Sequence, residues 1–258
     1  MISQTILMRR VGIISVPTLL LAITIAWFEN LDGIFNPPFF IAALNVSLVT
    51  AVSVIVAYLS AKSYLESGLS AVVLLGTGVL TYGVGLFLTG IAFTTNLTIG
   101  VSIAVVSCIL AGALQLAGSS MTWKGIERYK GRRQLRLAAS YGGAILILSL
   151  FLFMFETGIL AAPFSIGDVL FQAVFGVAII LFATSALMIR AAYSRTKSPV
   201  LFWYSLALAL IAVGIFGFDV ANDVGDMTSW AGALANYMGC LLFLQSIRTS
   251  RSLPLPNT

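Results

Sequence analysis

Apolar runs near the ~20 residues that an α-helix needs to cross the hydrocarbon core of a bilayer recur along the whole chain, at about residues 10–28, 39–63, 67–93, 97–121, 134–157, 165–194, 199–221 and 229–249. Short connections between them make sequence neighbours antiparallel neighbours in space. Apolar residues make up 59% of the 258-residue chain and charged ones 9%, too little charge for the surface of a water-soluble globule. The fold class expected is all-α: a polytopic membrane helix bundle of eight transmembrane helices. Arg9-Arg10 ahead of the apolar run Val11–Phe28 imitates a signal peptide. That run is too long for one and ends without a small-x-small cleavage site, so it reads as the first span.

The segment Trp123–Arg136 carries six cations against the single acid Glu127 and interrupts the apolar pattern near its middle. Lys and Arg beside spanning helices stay on the cytoplasmic side. Placing this loop in the cytoplasm puts all 14 Lys and Arg residues there: Arg9, Arg10, Lys62, the six of the loop, Arg190, Arg195, Lys197, Arg248 and Arg251. Seven acids (Glu29, Asp32, Glu156, Asp168, Asp219, Asp223 and Asp226) then lie outside, leaving Glu66 and Glu127 inside. A multi-pass protein of the cell membrane with both termini cytoplasmic follows. Pro38, Pro163 and Pro199 are expected at the first turns of helices two, six and seven, and Pro17 inside helix one is expected to kink it. Gly76, Gly78, Gly83, Gly85 and Gly90 give helix three a central, closely packed place.

The chain also reads as two parallel four-helix repeats: a membrane half over 1–122, the basic cytoplasmic loop 123–136, a second half over 137–251 and a flexible tail 252–258. Phe28-Glu29, Gly33-Ile34 and Pro38-Phe39 match Phe155-Glu156, Gly158-Ile159 and Pro163-Phe164. Tyr64 pairs with Tyr193, Val84-Gly85 with Val213-Gly214, Phe87 with Phe216, Cys108-Ile109-Leu110 with Cys240-Leu241-Leu242, and Gln115 lies close to register with Gln245. Such copies would be related by a pseudo-twofold along the membrane normal.

Several function classes fall away. Histidine is absent, which removes the usual axial ligand of haem and the commonest ligand of zinc and copper. Without a second-shell histidine, Cys108 and Cys240 read as small apolar residues rather than a soft-metal pair. No P-loop, nucleophile elbow, paired catalytic acids or zinc-protease motif occurs, so no enzymatic activity, cofactor or metal is expected. The net charge of +5 lies in juxtamembrane clusters that suit orientation and anionic lipid better than nucleic acid. No lysine stands at the centre of a helix to hold retinal, and the midplane lacks the ionisable groups that proton- or sodium-coupled carriers place there.

Candidate ligand-binding residues are the outer acids and amides: Glu156, Asp168, Asp219, Asn222 and Asp223, with Asn45, Tyr82, Gln172, Asn236 and Tyr237 further in. In reduced dielectric, carboxylates and amides together suit a cation or small polar ligand. The same acids equally suit solvated caps at helix ends, and the amides suit interhelical glue.

Ala57–Gly90, with Ala-Tyr-Leu-Ser-Ala-Lys-Ser-Tyr-Leu-Glu-Ser-Gly followed by Leu-Leu-Gly-Thr-Gly-Val-Leu-Thr-Tyr-Gly-Val-Gly, resembles the multi-helix membrane sensor regions (MASE-like) that precede PAS and histidine-kinase domains in prokaryotic signalling proteins. The resemblance implies an input module that passes a signal through its last helix, and it carries over no catalytic residue. A phosphoacceptor histidine and a nucleotide site are missing here, so the output is expected in a partner or in a longer chain. The expected function is thus a sensory membrane domain with an outward polar pocket. A transporter or permease of two parallel repeats, and an accessory subunit of a larger membrane complex, stand beside it. Expected partners are the bilayer, a small polar ligand or cation from outside, and a cytoplasmic signalling domain, a membrane partner subunit or a second copy of the chain.

Overall fold

The computed structural model describes residues 2–29, 43–125, 131–221 and 225–251, without the side chains of 2–11, 45, 250 and 251. Regular structure within them is helical: α1 (Ile2–Phe28), α2 (Ala51–Ser67), α3 (Ser70–Ala92), α4 (Leu97–Lys124), α5 (Arg133–Glu156), α6 (Val169–Thr196), α7 (Pro199–Asp219) and α8 (Met227–Arg251). Seven are long and apolar enough to cross a membrane; the apolar stretch described for α1, Gly12–Phe28, is shorter. This is a polytopic helix bundle. Large apolar side chains such as Leu146, Leu150, Phe153, Ile180, Leu187 and Leu241 point outward, which lipid favours and water would penalise.

Helix ends follow from local chemistry. Gly68 takes the left-handed conformation (φ 71°) that stops α2, its N–H donating to the Tyr64 carbonyl at 2.7 Å. Lys197, the non-glycine residue with positive φ (54°), stops α6 by the same bond to Tyr193 at 2.8 Å. Pro199 opens α7, as its missing N–H predicts. Pro163 does not open α6. The chain is irregular over 161–165, turns at Ile166–Gly167 (φ 84° at Gly167), and α6 begins at Val169. Pro38 and the Gly33–Phe39 motif lie outside the described residues. A π-helical turn, Asn45–Thr50, leads into α2, and the Thr50 hydroxyl donates to the Gly83 carbonyl of α3 at 2.9 Å.

Two helices, α3 and α7, run through the centre and bury most of their residues. The packing pairs repeat under a shift of four helices. α3 lies on α4 as α7 lies on α8, α2 on α3 as α6 on α7, and α4 on α6 as α8 on α2; α5 lies on α3 and α4 as α1 lies on α7 and α8. Each sequence half therefore lends its first helix to the other. Equivalent positions are 129 residues apart: Tyr64 and Tyr193, Gly68 and Lys197, Gly85 and Gly214. In this register Ser107 falls on Asn236, and Cys108 on Tyr237 rather than on Cys240. Ser107 and Asn236 do the same thing. A Cβ at Gly85 would come 2.1 Å from Ser107 Cβ, and one at Gly214 would come 2.1 Å from Asn236 Oδ1.

Candidate functional site

Because helices alternate in direction, the ends split by charge. The described cations of α2, α4, α5, α6 and α8 gather at one end and Glu156, Asp168, Asp219 and Asp226 at the other. Toward the acidic end, the central helices leave a cavity of about 80 Å³. α3 contributes Tyr82, Leu86 and Thr89, the residue after it Phe93, and α4 contributes Val101, Ala104 and Cys108. Phe171 and Phe175 of α6 stack at 4.6 Å on one wall, and Ile215 and Phe218 of α7 close the opposite side. Tyr82 meets Phe182 edge-on at 5.9 Å. Thr89 Oγ1 is buried without a hydrogen-bond partner.

Two pairs of lining residues are repeat equivalents of each other, Leu86 with Ile215 and Thr89 with Phe218, each 129 apart. The cavity therefore lies on the line about which the two halves are related. Further toward the basic end the same line is closed by another such pair, Leu75 and Tyr204. The Tyr204 hydroxyl donates to Gln115 Oε1 at 2.9 Å and reaches the Leu75 carbonyl at 3.4 Å, while Gln115 Nε2 donates to that carbonyl at 3.1 Å. Gln115 is fully buried. It fits because Gly78 has no side chain; a Cβ there would stand 2.8 Å from Gln115 Nε2.

The residues singled out from sequence are not gathered around this cavity; only Tyr82 lines it. Glu156 is exposed and accepts from Thr95 Oγ1 at 2.9 Å, tying the end of α5 to the α3–α4 turn. Asp168 is exposed at the α6 N-cap without a side-chain capping bond, and Gln172 faces outward one turn on. Asp226 caps α8, accepting from Ser229 N at 2.7 Å and Thr228 Oγ1 at 2.8 Å. Asp219, Asn236 and Tyr237 each hold a buried side-chain oxygen without a partner; none of the three lines the cavity, although Tyr237 stands close to Tyr82, which does. Asn222, Asp223 and the side chain of Asn45 lie outside the described residues. The lining is thus apolar and aromatic where carboxylates were expected. A desolvated carboxylate needs a compensating partner; Glu156 and Asp226 find hydroxyl and backbone N–H donors at the ends of their spans, Asp168 stands exposed, and Asp219 keeps one buried oxygen without a partner. Among the described residues no three of His, Cys, Asp and Glu cluster to hold a metal. Phe171, Phe175, Phe218 and Thr89 were not flagged by the sequence; the signal that could have found them is the 129-residue register, which sets Thr89 opposite Phe218.

No family model, no curated protein and no solved structure matches this chain.

Proposed function

We propose that this integral membrane protein is a non-enzymatic sensory domain that admits a small apolar molecule from the acidic end into the cavity between α3 and α7. The observation that carries the reading is the cavity's position between equivalent residues of the two halves, which the Leu75–Gln115–Tyr204 hydrogen bonds join further toward the basic end. An occupant there touches equivalent positions of both halves and is well placed to change their spacing. The basic end is assigned to the cytoplasm by its cations, so a change in spacing is read out where α8 ends. Aromatic walls with an unpartnered hydroxyl at Thr89 select a compact hydrophobic molecule that can share a hydrogen bond. A cation would find no carboxylate among the lining residues. The resemblance of Ala57–Gly90 to sensor regions supports the same reading.

A carrier built of two parallel repeats is the second reading, favoured by that placement between equivalent helices and weakened by the lack of carboxylates and cations among the lining residues. The two part in one experiment. In proteoliposomes, benzene and indole should raise the unfolding temperature of the wild type, and Ala104→Phe, which places a ring in the cavity, should abolish the rise. In the sensory case a fluorophore on Arg248→Cys responds to the probe without net flux. Probe-dependent accumulation of tracer inside the vesicles would establish the carrier instead, and no stabilisation by any small aromatic would remove the cavity from the function.

A further inference from the structure

A second site lies at the basic end, where α5 begins beside the end of α2. The last turn of α2 leaves carbonyls that α2 itself does not satisfy. Arg133 answers them, Nη1 donating to Leu65 O at 2.8 Å and Glu66 O at 3.1 Å. Its guanidinium lies flat against Gly68, where a Cβ would come within 2.8 Å of it. The one residue that permits the turn therefore also fixes the cation, and the other face of Arg133 is left for a ligand. Arg132, one residue earlier, is exposed and occupies the α5 N-cap without making a side-chain capping bond. With Gln134, Leu135, Ala138 and, across from them, Leu65, these arginines frame a groove of about 690 Å³.

The groove has two chemistries in sequence. Its rim is cationic and includes the first backbone N–H groups of α5, which a helix start presents without partners. Its floor is apolar, with Leu135 66% and Leu65 38% exposed, and it runs on to the outward apolar face of α5 at Leu146 and Leu150. A free anion would use the rim and leave the leucines wet. A soluble acidic partner would meet a floor lying at the depth of the membrane. We infer that the groove binds one anionic phospholipid. Its phosphate sits between Arg132 and Arg133, and an acyl chain lies along Leu65, Leu135 and Ala138. Among the described residues Glu66 is the nearby acid, exposed at the end of α2. It disfavours a doubly charged headgroup, which makes a phosphatidylglycerol-type monoanion the best match. The basic groove gives this end of α5 a lipid that need not exchange with the bulk bilayer, independently of what fills the cavity at the other end.

The test is native mass spectrometry of the full-length protein, released from detergent micelles doped with equal amounts of phosphatidylglycerol and phosphatidylcholine. The wild type should retain phosphatidylglycerol in preference. Arg132→Gln removes a cation without removing a contact that holds the fold, and it should cut the preference about fivefold, the effect of one cation near an anionic lipid surface. Arg195→Gln removes the same charge from the other side of the basic end, where Arg195 lies over Trp123 and donates to its carbonyl; this variant should retain the wild-type preference. Leu135→Asn should weaken phosphatidylglycerol retention, and millimolar inorganic phosphate should leave it unchanged. Equal retention of the two lipids, an unchanged preference in Arg132→Gln, an equal loss in Arg195→Gln, or displacement by inorganic phosphate would each overturn the assignment.

Discussion

The α3–α4 and α7–α8 pairs hold equivalent places in the bundle but lock in different ways. In α7–α8 the contact is backbone on backbone. A Cβ at Gly217 would stand 2.7 Å from Gly232 Cα and 2.9 Å from Thr228 O, and one at Gly214 would meet Gly232 O at 2.8 Å. Shifted by 129 residues, Gly217 and Gly232 become Leu88 and Ile103. Ile103 is fully buried in a cluster with Ala92, Ile99 and Phe155 of α5, against which Leu88 packs. The first pair thus fills its seam with side chains that need α5 as a third wall. The second closes on itself and meets α1 through the smaller cluster of Ile23, Val213 and Ala235. The pair that depends on side chains also supplies six of the cavity's fourteen lining residues, with Phe93 added by the turn between its helices, against three from α7 and α8 themselves. A repeated scaffold can keep one half as a tight brace and use the other to shape a binding space.

The sharpest way to break this contrast is Gly217→Ala. All three atoms nearest the new methyl belong to the backbone of α8, so no rotamer change relieves the clash and the helices must separate. Overpacking of this kind costs about 1–3 kcal/mol or more, and this site should lie at the upper end. Unfolding by graded SDS in mixed micelles measures it. A Gly217→Ala protein as stable as the wild type would mean that the glycine contact is not what holds α7 to α8.

What was legible in the sequence follows the same division between local and collective causes. The helices, the start at Pro199 and the pairing of Tyr64 with Tyr193 rest on a few neighbouring residues each, and they can be read without the fold. The start of α6 was misplaced because Pro163 was read as a first-turn residue, whereas two positive-φ glycines, Gly158 and Gly167, bracket it in a non-helical connection. The cavity was not legible. In a chain that is 59% apolar, Phe171 and Phe175 look the same whether they face a pocket or a lipid tail. Outer carboxylates stand out because charge is rare here, and the described ones lie at the ends of spans. Nor does a run of apolar residues say which helix is central: α7 has fewer glycines than α3 and is as thoroughly buried.

Gly85→Ala asks a narrower question at the matching close approach. Its new Cβ meets a side chain, Ser107 Cβ at 2.1 Å, and the next backbone atom is 3.5 Å away. Alone it should destabilise by about 1–3 kcal/mol. Combined with Ser107→Gly, which removes the obstructing atom, most of that loss should return. The equivalent double change, Gly214→Ala with Asn236→Gly, should stay destabilised, because Gly232 O remains 2.8 Å from the methyl. Rescue in both pairs or in neither would erase the distinction between a side-chain seam and a backbone seam.

The smallest effect is expected where the two halves meet each other, at Leu75 and Tyr204. Tyr204→Phe keeps the ring against Phe243 at 4.8 Å and loses only the hydroxyl that donates to Gln115 Oε1. Interhelical hydrogen bonds in membranes average about 0.6 kcal/mol, so the stability loss should be of that order. Gln115→Leu should cost more. It strips the Leu75 carbonyl of the amide donor that Tyr204, at 3.4 Å, replaces poorly, and it sets a branched side chain against Gly78. The ranking matters more than either value. If Tyr204→Phe proved as damaging as Gly217→Ala, the bond across the centre would be the main support of the bundle and the glycine seam a secondary one. If it left stability nearly unchanged while altering the Arg248→Cys fluorescence response to benzene, the hydroxyl would serve to couple the halves rather than to hold them together.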